Sequence, residues 1–173
     1  MPSSIHRRYI LGDNQAPELQ NLPPATVDVS CADEVPLVAA VTYTDNCQGT
    51  VTFDFSEVEI PADCPNRYQI VRTWTATDFA GNSTQFLQTI TVNDSEAPEL
   101  AVKPVRRQYD CLQDVEAAPY QFATDNCGVA FVDFSESTNP GNCPNKVIIT
   151  RRWVAYDLCG NTSDWEQEIE VKD

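Results

Sequence analysis

The sequence predicts an all-β protein of two tandem β-sandwich domains in an elongated arrangement. Three observations predict it: the chain repeats itself, apolar residues inside each copy alternate, and turn residues separate short runs rich in valine, threonine and aromatics. "TDNC" at Thr44–Cys47 returns at Thr124–Cys127, and "DNQAPEL" at Asp13–Leu19 returns as "DSEAPEL" at Asp94–Leu100. "DFSE" at Asp54–Glu57 matches Asp133–Glu136, and "CPN" at Cys64–Asn66 matches Cys143–Asn145. "RTWTATDFAGN" at Arg72–Asn82 matches "RRWVAYDLCGN" at Arg151–Asn161. The repeating unit is about 80 residues long. An extension over 1–12 precedes the first copy at 13–94 and the second at 95–173. The joint near Asp94–Pro98 is short, and Pro98 stiffens it.

The elements follow in order. In the first copy strands are expected near Thr26–Ser30, Leu37–Thr44, Val51–Val58, Tyr68–Thr77 and Gln85–Val92. In "YQIVRTWTATD", Ile70, Trp74 and Ala76 share one face; Val71, Thr73, Thr75 and Thr77 share the other. Val51, Phe53 and Phe55 alternate with Thr52 and Asp54, and Phe86, Ile90 and Val92 share a face. That period of two is a strand signal, and no stretch shows capped helical periodicity. Strands this short and evenly spaced imply an immunoglobulin-like sandwich. Arg72 falls in phase with Ile70 and Trp74, and Arg151 stands likewise beside Trp153. Two readings stand: an arginine at the sheet margin with its head in water, or one paired with an acid of "DFSE".

Composition narrows the function classes. Of 173 residues, 42% are hydrophobic, and 26 acids against 11 bases leave a net charge of −15. That charge disfavours nucleic acid and anionic membrane as partners, and no apolar run reaches membrane-span length. The start "MPSSIHRRYIL" lacks the apolar core of a signal peptide. Seven cysteines with one histidine, His6, and no C-x-x-C spacing favour disulfides in an oxidising compartment over zinc.

The ordered framework "TDNC…CPN…W.A.D.CGN", present twice, resembles hyalin repeat (HYR-like) domains of bacterial secreted and surface proteins. The resemblance covers nearly all of 13–173 and implies extracellular, non-enzymatic tandem modules.

The up-and-down strand order places Cys31 and Cys64 at one end of the first sandwich, and Cys47 with position 80 at the other. The second copy places Cys111 with Cys143, and Cys127 with Cys159. Opposite ends lie roughly 25 Å apart along the strands, whereas a disulfide needs Cα atoms within about 7 Å. The expected bridges are therefore Cys31–Cys64, Cys111–Cys143 and Cys127–Cys159. Ala80 stands where Cys159 has its counterpart, so Cys47 is expected to be an unpaired thiol, either vestigial or bridged to another chain. No histidine in the repeats could activate it for catalysis.

The acids and amides of "TDNC" also carry two readings. They suit local turn chemistry. They also gather oxygen donors of the kind calcium takes in sets of six to eight. The candidate ligands are Asp13, Asp45, Asn46 and Asp78 in one copy, and Asp94, Glu96, Asp125, Asn126 and Asp157 in the other. Sequons begin at Asn82, Asn161 and Asn93.

No catalytic triad, phosphate loop or H-E-x-x-H motif is present, and no cofactor is required. The expected function is an extracellular, non-catalytic structural or adhesive module: a disulfide-stapled repeat of an adhesin, stalk or filament. Its partners are then neighbouring repeats or copies of the same chain. A ligand- or carbohydrate-binding module for a surface glycan or protein receptor is the alternative, using Tyr9, Tyr120, Tyr156 and Trp165. The basic segment "IHRRYIL" is either a linker or a strand that adds to a neighbouring chain's sheet edge.

Overall fold

The structure is a computed structural model that describes residues 12–128, 130–141 and 146–172. The basic N-terminal segment, including His6, Arg7, Arg8 and Tyr9, lies outside these residues, as does Cys143. Twelve strands run along the described chain, and each repeat contributes one two-stranded and one four-stranded sheet. The first repeat holds β1 (Glu18–Gln20), β2 (Thr26–Val29), β3 (Thr42–Thr44), β4 (Thr52–Cys64), β5 (Arg67–Thr77) and β6 (Ser83–Asn93). The second holds β7 (Glu99–Leu100), β8 (Arg107–Tyr109), β9 (Ala123–Thr124), β10 (Ala130–Pro140), β11 (Lys146–Asp157) and β12 (Thr162–Lys172). The sheets order as β1-β3 and β2-β6-β5-β4, then β7-β9 and β10-β11-β12-β8. The only helical turns among the described residues are 3₁₀ turns at Ala32–Glu34 and Leu112–Asp114.

Alternation sets the core. Along β5, Ile70, Arg72, Trp74 and Ala76 are buried in phase. Along β6, Gln88, Ile90 and Val92 are buried in phase. Trp74 packs with Leu19, Val41 and Ala76, and Trp153 with Leu100 and Ala155. A phenylalanine from the neighbouring strand leans on each tryptophan: Phe55 on Trp74 and Phe134 on Trp153, both at 5.3 Å between ring centroids. The expected strand Leu37–Thr44 shrinks to β3. Its first half stays out of the sheet: Leu37, directly after Pro36, is 94% exposed and buries nothing that would hold a strand there. The short β1, which sequence patterning did not mark, supplies the partner that β3 needs.

The chain forms two compact units that do not follow the repeat boundaries. One contains the described residues up to Val27, with Pro36–Ile60 and Gln69–Thr91. The other contains Asp28–Val35, Pro61–Tyr68 and the chain from Val92 onward. Two loops of the first repeat thus belong to the second unit.

The in-phase arginines are paired, so the margin reading does not hold. Arg72 is 4% exposed; its Nε donates to Glu57 Oε2 at 2.7 Å and its Nη1 to the Pro36 carbonyl at 2.9 Å. Arg151 repeats this, with Nε donating to Glu136 Oε2 at 2.6 Å and Nη2 to the Glu116 carbonyl at 2.7 Å. The acid is the glutamate of "DFSE", held directly opposite the arginine by the β10–β11 register. Glu57 keeps a water-facing side while Arg72 does not. Stranding the arginine therefore costs more than stranding the acid. Glu57→Ala is expected to cost about 3 kcal/mol, the low end for an orphaned buried charge, and Arg72→Met about 1 kcal/mol. Urea denaturation measures both, and a reversed order would contradict this assignment.

Candidate functional site

The loops between strands carry the chemistry, and they are built alike in both repeats. In the first, Gly81 adopts a φ of 92°, which lets the chain reverse after Asp78. The Asn82 N–H then donates to Asp78 Oδ1 at 2.9 Å. Its side-chain Nδ2 donates to Asp78 Oδ2 at 2.7 Å and to the Asp13 carbonyl at 3.4 Å. In the second, Gly160 adopts a φ of 81°. The Asn161 N–H donates to Asp157 Oδ1 at 2.9 Å, and its Nδ2 to Asp157 Oδ2 at 2.7 Å and to the Asp94 carbonyl at 3.3 Å. Each asparagine spends both amide hydrogens within the protein. A glycan on Nδ2 at either sequon would break that clamp.

Against these clamps lie the "TDNC" turns. The Cys47 N–H donates to Asp45 Oδ2 at 3.4 Å, and the Cys127 N–H to Asp125 Oδ1 at 3.0 Å. Carboxylate oxygens of Asp13, Asp45 and Asp78 come within 4.8 Å of one another. In the second unit Asp94 and Asp125 approach each other as closely, beside Cys127 Sγ. Asp94 is fully buried, and its Oδ2 has no hydrogen-bond partner, nor do Asp125 Oδ2, Asp13 Oδ2 and Asp45 Oδ1. Asn46, Glu96 and Asn126 are exposed. Asn126 turns its Nδ2 toward Cys31 Sγ at 3.4 Å, and Glu96 contributes its backbone N–H to Asp94 Oδ1.

The two buried acids have opposite electrostatics. Burial and the Asp125 charge push the Asp94 carboxyl above its ordinary pKa. Burial also works to raise Asp78, but the Asn82 side chain and the backbone N–H groups of Asn82, Ala80 and Gly81 outweigh it and hold the carboxyl below. The Cys47 thiol is pushed up by its hydrogen bond to Asp13, by burial and by nearby carboxylate charge.

The disulfides differ from the expected ones. Cys31 bonds Cys127 and Cys64 bonds Cys159, each with Cα atoms 5.1 Å apart. The expected pairs Cys31–Cys64 and Cys127–Cys159 are therefore wrong. Cys111, expected to bond Cys143, is a free and exposed thiol; Cys47 is free and half-buried. The error lay in confining each bridge to one repeat: both bonds join a cysteine of the first repeat to one of the second. Residues 28–35 and 61–68 pack into the second unit, so their sulfurs meet the loops of the second repeat. Sulfur–sulfur contact needs proximity in space, which sequence spacing within one repeat does not report.

Sequence reasoning missed the polar groups that seat these bridges. Asn66 Nδ2 donates to the Cys127 carbonyl at 3.3 Å. Arg67 reaches Asp63 at 3.0 Å, Asn93 Oδ1 at 3.1 Å and the Asp94 carbonyl at 3.1 Å. Asn66 lies in "CPN", whose amide was the available signal. Among the glycan-binding candidates, Tyr120 is 90% exposed, Tyr156 stacks on Phe131, and Trp165 donates its Nε1–H to the Pro104 carbonyl at 2.8 Å.

Tandem β-sandwiches carrying cysteines and carboxylates in their loops define a class of extracellular-type structural module, typically non-enzymatic. The chain belongs to the HYR-like domain family with four cysteines, which matches it twice, at residues 20–92 and 101–171. The second repeat has all four cysteines; the first has Ala80 in place of one. No curated protein sequence matches the chain. Among solved structures, Drosophila N-cadherin EC1-4 is similar at a TM-score of 0.36 and 11% identity, over 92% of this chain and 50% of that one. The protocadherin gammaB7 EC3-6 cis-dimer structure is similar at 0.35 and 13%, over 92% and 51%. The chain spans about half the length of both. No helix among the described residues is long and apolar enough to cross a membrane.

The pKa directions set the expected pH behaviour. Asp94 has a raised folded pKa, so its charge opposes folding above that value and the penalty lifts as pH falls through it. Asp78 has a lowered one, so its contribution is complete above the ordinary carboxylate range and is lost as pH falls through the folded value. In chelator at neutral pH, Asp94→Asn is expected to raise the melting temperature, because an amide hydrogen can reach the orphaned Asp125 oxygen. Asp78→Asn is expected to lower it, because its amide would face the Asn82 amide. Calorimetry of both variants checks the opposed signs.

Proposed function

We propose that this protein is an extracellular structural module of adhesion type, in which disulfides carry tension from one repeat into the next. The supporting observation is the Cys31–Cys127 bridge, which ties residues 96 positions apart in sequence and in different repeats. Force applied at the two ends of the chain passes through that bond. With Cys64–Cys159 also closed, residues 32–63 and 128–158 share the load as parallel limbs and residues 65–126 stay off the tensioned path. A second bridge, Cys64–Cys159, spans 95 positions in the same way. A cytosolic compartment would keep such thiols reduced. A role in an adhesin, stalk or filament uses this coupling directly. Single-molecule stretching tests it. The oxidised protein should extend roughly 300 Å less than the reduced protein, at ~3.3–3.6 Å per residue removed from the path with the parallel limbs counted once. Equal lengths would end the proposal.

Calcium is part of the same reading. A fully buried carboxylate with an unpartnered oxygen is costly unless it is protonated or meets a cation. Asp94 faces Asp125, whose own Oδ2 is also unpartnered. Asp94 and Asp125 are the residues that would hold the ion; Cys127 offers no thiolate, because its sulfur is bonded to Cys31. Asp13 and Asp45 repeat the arrangement in the first unit. A bound calcium ion would neutralise these carboxylates and stiffen the loops. Calcium should raise the melting temperature, chelator should reverse the rise, and the double variant Asp94→Asn/Asp125→Asn should reduce it. An unchanged melting temperature across a calcium titration would leave only turn chemistry.

A further inference from the structure

We propose that Cys111 of one copy forms a disulfide with Cys47 of a second copy, reproducing between chains the Cys31–Cys127 bridge found within the chain. The inference rests on the reading of the protein as a disulfide-coupled module.

Both halves of that junction exist unpaired in the structure. On one side, Cys31 precedes the 3₁₀ turn Ala32–Glu34 with φ −124° and ψ 159°. Cys111 precedes the 3₁₀ turn Leu112–Asp114 with φ −129° and ψ 145°. Each cysteine carbonyl accepts from the N–H three residues on, Glu34 at 3.2 Å and Asp114 at 3.1 Å. Cys111 is thus already held in the backbone conformation that Cys31 has when bonded, with its thiol exposed. On the other side, the Cys47 turn matches the Cys127 turn. An aspartate two residues before accepts the cysteine N–H in both, and an asparagine clamps an aspartate and a preceding aspartyl carbonyl in both. Cys127 in that setting is bonded, and Cys47 is free. The bonded pair within the chain is the independent observation that says what each free thiol fits.

The second bridge has no such counterpart. Cys143 corresponds in sequence to Cys64, but Ala80 stands where Cys159 does. Copies would therefore be joined by one disulfide where repeats within a chain are joined by two. Forming the bond removes two protons and two electrons from two thiols. A small-molecule disulfide such as oxidised glutathione accepts them and leaves as two reduced thiols.

The test uses the full chain. Wild type, Cys47→Ser and Cys111→Ser are oxidised with glutathione, each alone and the two variants mixed, then run on a non-reducing gel and mapped by peptide mass. The expected result is a ladder for wild type, a dimer for the mixture, monomers for each variant alone, and a peptide joining Cys111 to Cys47. Ala80→Cys should make the wild-type ladder more resistant to reductant. A Cys111–Cys143 peptide within monomers would overturn the inference, and so would dimers of Cys47→Ser alone as abundant as in the mixture. Peptides joining Cys31 to Cys127 and Cys64 to Cys159 should appear in every sample. Their absence would sink the module reading itself, whereas their presence without a Cys111–Cys47 peptide would sink only this inference.

Discussion

Two covalent bonds, Cys31–Cys127 and Cys64–Cys159, constrain everything around them. They bring loops of the first repeat into the second compact unit. The neighbouring polar groups are arranged to suit that packing. Asn66 and Asn126 each make a contact that belongs to the bridged arrangement, one to the Cys127 carbonyl and one to Cys31 Sγ. Closing loops of this length restricts the unfolded chain strongly, by about 5 kcal/mol for a bridge in the entropic account. A small sandwich with short β1, β3, β7 and β9 strands has limited core, and such a domain leans on cross-links for stability.

The carboxylate loops are the second feature built on this frame. Asp78 and Asp157 are fully engaged as acceptors, each fastened by an asparagine that follows a left-handed glycine. Asp94 and Asp125 are close to each other but incompletely satisfied. The engaged acids are structural clamps that fix the loops. The unsatisfied ones are left with spare acceptor capacity in a buried place, where it is costly. That difference separates the acids engaged in turns from the unsatisfied ones beside them.

Much of this was legible in the amino-acid sequence. The internal repeat and the alternation of Ile70, Trp74 and Ala76 foretold the strands and their buried face, because side-chain direction in a strand depends only on position along it. The recurrence of "TDNC" and "GN" marked the loops that carry the carboxylates. The in-phase Arg72 and Arg151 were visible as anomalies, with an acid of "DFSE" as a candidate partner; that the acid is the glutamate came from the strand register.

The tertiary structure alone decided which sulfurs bond, which reading of the arginines holds, and which acids are left unsatisfied. Strand periodicity is a local property, so it survives in the sequence. A disulfide depends on which loops approach within a few ångströms, and the seven cysteines permit many pairings that spacing cannot rank. That the partner of Cys31 lies in the next repeat follows only from the packing of residues 28–35 into the second unit.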